Sequence, residues 1–284
     1  MQVTWVFPAL FVVLWSTGFI GAKLGLPYAE PFTFLTLRFL FVLAILLPIC
    51  WLLRARWPSR QGAAHMAIAG ALMQAGYLGG VFASMHHGMP AAVSALITGL
   101  QPVCTALLGG LLLHERTTPK QWAGLALGLL GVALVVGDRI AVDKLGLAAI
   151  LLSVLALASI TLGTIWQKRH GGAIDLRTGA AIQFAAAAVV LAPFAFLFET
   201  RKIAWTGEFI FALAWLVLVL SFGAVFLLFH LIRQGAATRV ASLFYLVPPT
   251  TALLAWPLFA ESYSALAAVG MGLGMLAVWL VTKP

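Results

Sequence analysis

A chain of 284 residues that is 63% hydrophobic and 9% charged cannot hide its apolar surface in a soluble core, because soluble domains carry about 25% charged residues. Lipid must be the solvent for most of it. The net charge of +9 sits singly or in small clusters between apolar runs, which suits inner-leaflet headgroups and argues against nucleic acid as a partner.

A spanning helix needs about 20 apolar residues. Ten such segments are read along the chain, at 4–22, 32–53, 63–85, 90–113, 120–137, 145–167, 177–198, 209–232, 238–259 and 263–282. Continuous apolar runs predict helices and exclude a barrel, whose strands would alternate. The expected fold class is an all-α membrane protein of ten transmembrane helices. Turn chemistry marks the joints at Trp57-Pro58-Ser59, Gly88-Met89-Pro90, Thr117-Thr118-Pro119 and His170-Gly171-Gly172. Thr118 before Pro119 reads as an N-cap followed by proline at the first helical position. No secretory leader is expected, since no Lys or Arg precedes Trp5. Cys50 and Cys104 fall inside apolar segments and read as packing residues, with no disulfide, metal or cofactor implied.

Lysine and arginine counts orient the chain. With the N-terminus inside, the inner segments hold eleven cations (Arg54, Arg56, Arg60, Arg116, Lys120, Lys168, Arg169, Arg177, Arg233, Arg239 and Lys283). The outer loops hold five: Lys23, Arg139, Lys144, Arg201 and Lys202. The positive-inside bias places both termini in the cytoplasm.

The stretch Leu100–Val135 returns without a gap at Leu246–Val281. Pro102, Glu115, Gly124 and Gly128 meet Pro248, Glu261, Gly270 and Gly274, and each punctuates a helix at a fixed place. The chain therefore reads as one unit duplicated, 1–140 and 141–284. Five spans per half is an odd number, so the second unit enters the membrane inverted. Inverted repeats are a recurring plan for secondary transporters, with substrate held between the halves near the midplane.

Several motifs carry a resemblance. Trp15-Ser16-Thr17-Gly18-Phe19 with Lys23 opens the first half, Pro31 and Leu37-Arg38-Phe39 follow, and Leu100-Gln101-Pro102 leads through Glu115 to Gly124 and Gly128. The repeated unit resembles the EamA domain of the drug/metabolite transporter superfamily, over nearly the whole chain. Within that superfamily it is similar to bacterial exporters of aromatic amino acids and metabolites. The resemblance implies a basket of helices around a central cavity, working by alternating access. Thr17 enters as a candidate through its place in the first motif. The halves are not equivalent: Arg38 is matched by Gln183.

Ionisable groups inside a membrane are costly and functional by default. All eight carboxylates fall in loops or at helix ends in this reading, so no embedded acid is available for proton coupling and a facilitator driven by the substrate gradient is expected. His230 is the one candidate proton-sensitive group. Arg38 has two readings: it snorkels to the outer headgroups, or it faces a cavity and holds a carboxylate or pairs with Glu30. Lys23 suits an interfacial anchor. Ser94, Thr98, Gln101 and Thr105 share one face of the fourth segment, and Gln74 and Tyr77 one face of the third. Tyr245 lies in the ninth. Trp15, Phe222 and Phe226 offer stacking surfaces, while Trp166, at a helix end, suits an aromatic belt. Pro102 and Pro248 read as kinks and hinge candidates. The glycine pairs read as close packing of the fifth helix on the tenth.

The expected function is export of aromatic or neutral amino acids, or similar amphipathic metabolites, by a carrier that works as a monomer in the bacterial inner membrane. Phosphorylated metabolites or nucleotide sugars would want more cations than Arg38 and Lys23. An intramembrane enzyme would need a buried catalytic pair, and a channel a continuous polar pore.

Overall fold

The computed structural model describes residues 6–101, 103–105, 108, 119–143, 145–172, 174–224, 227, 246–260 and 263–282. Among these, ten helical segments follow in order: α1 (Val6–Gly25), α2 (Pro31–Leu52), α3 (Arg60–His86), α4 (Ala91–Gly99), α5 (Pro119–Asp143), α6 (Leu147–His170), α7 (Leu176–Phe198), α8 (Gly207–Ala224), α9 (Val247–Phe259) and α10 (Ala265–Thr282). The non-helical pairing described is a single bridge between Ala29 and Ile203. Five helices, α2, α3, α6, α7 and α8, are long and apolar enough to cross a membrane. Only a third of the most apolar stretch of α2, α6 and α7 is buried inside the protein. The remaining apolar side chains, Leu52, Leu151, Val189 and Phe196 among them, face outward. Such a surface is stable only against hydrocarbon. The chain is an all-helical membrane protein.

Polar side chains close the helix starts where the backbone leaves N–H groups without partners. Ser59 accepts from Gly62 N at 3.2 Å, Asp175 from Arg177 N at 3.0 Å and Thr206 from Phe209 N at 3.2 Å. Pro31 opens α2, where its missing N–H costs nothing. Two boundaries differ from the hydropathy reading. Asp138 and Asp143 lie within α5, which runs past the apolar segment to Asp143. Among the described residues Pro248 stands in the first turn of α9, where a missing N–H is tolerated.

Helix packing is paired. α5 lies along α10, α2 along α7 and α4 along α9. Six further contacts fall in twos: α1 on α8 with α3 on α6, α1 on α9 with α4 on α6, and α3 on α7 with α2 on α8. Pro48 and Pro193 are each the eighteenth residue of α2 and α7. The α5–α10 contact is a close backbone approach. A Cβ on Gly270 would meet the Gly131 carbonyl oxygen at 2.6 Å, and one on Gly131 would meet Gly274 N at 3.0 Å.

Both α3 and α8 depart from α-helical hydrogen bonding. Residues Ala71–Gly76 and Trp215–Ala224 are π-helical, each in the third helix of its half. A π segment widens the turn by one residue and is found mostly at functional sites.

Candidate functional site

The two π segments converge on one cavity of about 120 Å³. Met73 and Gln74 come from the first, and Leu220 and Ser221 from the second. Trp15 and Phe19 on α1, Arg38 on α2, Tyr77 and Phe82 on α3, Ile160 on α6 and Phe184 on α7 complete the wall. The helices that supply the polar groups therefore belong to both halves of the sequence.

Arg38 does not snorkel. Its residue exposure is 6%, deep among Phe34, Leu35 and Phe39 of its own helix. Its Nη2 donates to Ser221 Oγ at 3.2 Å, and its Nε is buried without a hydrogen-bond partner. Glu30 is engaged elsewhere: its carboxylate accepts from the backbone and hydroxyl of Thr200, both at 2.6 Å. Those bonds hold the Glu30 carboxyl below the usual carboxylate range. A buried guanidinium with one neutral partner among the described residues has donors to spare.

The cavity gathers four of the residues read from sequence: Trp15, Arg38, Gln74 and Tyr77. Trp15 packs on Phe11 with ring centroids 5.3 Å apart, at an angle of 41°. The Tyr77 hydroxyl faces the Thr98 side chain. Thr98 otherwise donates to Ser94 O at 2.8 Å, so it supports Tyr77 from behind the wall.

Other candidates sit elsewhere. Thr17 donates to Leu14 O at 2.6 Å and accepts from Trp215 Nε1 at 2.9 Å, tying α1 to α8. Gln101 donates to Thr164 Oγ1 at 3.0 Å, an α6 contact. Phe222 is half-buried against the core beside the cavity rather than in its wall. Gln183 donates to Gln167 Oε1 at 3.0 Å, so the counterpart of Arg38 is spent on a link between α7 and α6. Trp166 donates to His65 O at 3.1 Å, and Lys23 lies 5.0 Å over the Phe259 ring. Pro102, Phe226, His230 and Tyr245 lie outside the described residues.

Sequence reading missed Ser221 and Phe184. Ser221 was findable, being the lone hydroxyl in the apolar run Phe209–Phe229. Phe184 carried no signal among so many apolar neighbours.

The EamA-like transporter family model matches residues 3–137 and again 147–283. The chain belongs to the EamA-like transporter family. Relatives of this EamA-like chain include an uncharacterized inner membrane transporter, YedA, of Escherichia coli, 26% identical over 280 residues, covering 97% of this chain and 90% of that one. An uncharacterized transporter of Bacillus subtilis, YvbV, is 27% identical over 248 residues, 84% of this chain and 78% of its own. A probable amino-acid metabolite efflux pump of Salmonella typhimurium is 28% identical over 160 residues, 56% of this chain and about half (52%) of its own length. A solved crystal structure, 20% identical, superposes with a TM-score of 0.66 over 97% of this chain and 94% of that one, and shares the fold.

Proposed function

We propose that this EamA-like transporter is a secondary carrier that exports aromatic or other neutral amino acids, or similar amphipathic metabolites, across the inner membrane. It does so by alternating access between two inverted five-helix units, 1–140 and 141–284, with both termini cytoplasmic and one chain sufficient. The observation that carries this reading is the cavity, where a buried cation with spare donors stands among Trp15, Tyr77, Phe82 and Phe184. An amphipathic solute needs such a wall: a few placed polar groups in an apolar, aromatic lining.

The pairing of three helices with their counterparts, α2 with α7, α4 with α9 and α5 with α10, supports the inverted repeat. Each π segment lies in the corresponding helix of its half, which gives the two units matched places at which to change shape. Conversion between inward and outward states would repack these pairs as rigid bodies. The efflux pump among the relatives favours export of an amino-acid metabolite. No carboxylate lines the cavity among the described residues, which favours transport without obligatory proton coupling.

Counterflow in proteoliposomes tests the proposal. Vesicles are loaded with unlabelled phenylalanine, labelled phenylalanine is added outside, and no ion gradient is imposed. Transient accumulation is expected. Accumulation of another solute of a metabolite panel, with phenylalanine inert, overturns the amino-acid assignment and leaves the carrier. Accumulation only under a proton gradient overturns the uncoupled mechanism.

A further inference from the structure

We infer that the cavity selects small aromatic or apolar monocarboxylates that lack an ammonium group, in preference to the zwitterionic amino acid with the same side chain. The inference rests on the reading of the cavity as the substrate site, and it narrows the substrate class within that reading.

Charge is the first argument. Among the described residues lining the cavity, Arg38 carries the one formal charge. Its Nε is unpaired, and among the described residues its Nη2 has only the Ser221 hydroxyl. A carboxylate answers a guanidinium with two parallel hydrogen bonds and removes the uncompensated charge. Binding an anion there is therefore neutralisation as well as recognition.

Among the described residues an ammonium finds no equivalent. The chain has eight carboxylates. Glu30 is held by Thr200. Glu199 accepts from Phe32 and Thr33, Glu208 from Tyr28, and Asp175 from Arg177. Asp138 and Asp143 lie in the C-terminal part of α5. Glu115 and Glu261 are outside the described residues, each four positions before the first residue of α5 and α10 in sequence. The neutral oxygens of Gln74, Tyr77 and Ser221, and the π faces of Trp15 and Tyr77, are what the wall offers a cation. That wall already carries one.

Size is the second argument. A cavity of about 120 Å³ is close to the roughly 150 Å³ that takes one benzene ring in an apolar protein interior. One ring or one branched alkyl group fits. A phosphate dianion would want a second cation.

The test is isothermal titration of the full-length detergent-solubilised protein at pH 7 with three compounds sharing one ring: 3-phenylpropionate, phenylalanine and 2-phenylethylamine. The carboxylate is expected to bind roughly tenfold or more tighter than the zwitterion, with no measurable binding of the amine. Arg38→Gln should abolish the preference. Arg38→Lys, which keeps the charge without the fork, should retain it at reduced affinity, and covers the case in which Arg38→Gln does not fold. Gln74→Glu, which places a carboxylate on the same wall, should shrink the ratio of the two affinities. Phenylalanine binding as tightly as 3-phenylpropionate overturns the inference and leaves the cavity as a substrate site. Binding of none of the three, or binding untouched by every one of these variants, overturns the inference and the cavity reading together.

Discussion

Glu199 holds Thr33 by two hydrogen bonds, accepting from its backbone N–H at 2.6 Å and from its hydroxyl at 2.7 Å. The carboxylate also accepts from Phe32 N at 2.7 Å, so the residue that ends α7 caps the start of α2. A negative group at a helix N-terminus is favoured by both the open N–H groups and the helix dipole. Glu199→Ala is expected to lower stability by about 1–2 kcal/mol. Glu199→Gln, which keeps the acceptor, should lose less. Thermal unfolding in detergent checks the order of the three proteins.

A second cap carries a pH signature. Asp175 accepts from Arg177 Nη2 at 2.7 Å, Nε at 3.0 Å and the backbone N–H at 3.0 Å. The Arg177 guanidinium beside it holds its carboxyl down at about 2. A carboxyl depressed by folding stabilises the folded state fully above the ordinary Asp range, and the contribution disappears as pH falls toward 2. Asp175→Asn keeps a cap but loses the charge. The pair is partly exposed and screened by solvent, so its loss at pH 7 should lower stability only slightly. The gap in thermal midpoint between wild type and variant should persist from pH 7 to pH 4 and close between 4 and 2. A gap unchanged at pH 2 would sink this account.

Packing of α5 on α10 gives a matched pair of substitutions. A Cβ at Gly270 would press on the Gly131 carbonyl at 2.6 Å, which is backbone and cannot swing away. Gly270→Ala must push the helices apart and should cost about 1–3 kcal/mol. Two residues on, Gly272 has nothing within 4 Å of the same position. Gly272→Ala should be neutral within about 0.5 kcal/mol. Equal melting temperatures for the two variants would contradict the close approach.

Trp15 and Trp215 should separate binding from stability. Trp15 lines the cavity, and Trp15→Ala should weaken ligand binding about tenfold through lost stacking area. Trp215 donates to Thr17 from behind the wall. Trp215→Phe should cost about 1 kcal/mol of stability for the lost hydrogen bond while leaving affinity nearly unchanged. Calorimetric titration and thermal unfolding on both proteins decide.

Much of the helix order was legible because hydrocarbon imposes long apolar runs, and polar punctuation such as Ser59 and Asp175 falls where helices begin. The cavity was half legible. Arg38, Gln74 and Tyr77 announce themselves by being polar where polarity is costly. Gln101 and Thr17 looked identical by that test, yet they bond to Thr164 and Trp215. Sequence spacing fixes a helix face but not which neighbour that face meets. The π segments were invisible, since widening a turn by one residue leaves composition untouched.

The bond between Arg38 and Ser221 has an electrical corollary. Among the described residues only a hydroxyl is bonded to it, so on the proposed reading the empty site carries a full positive charge and a bound monocarboxylate makes it neutral. On the alternating-access reading, the loaded carrier crosses its transition without moving charge. The return of the empty carrier moves the charge inward, down an inside-negative membrane voltage. Voltage then acts on the resetting step and not on the delivery step, and a cell's resting potential would turn a passive carrier into a one-way valve for anions.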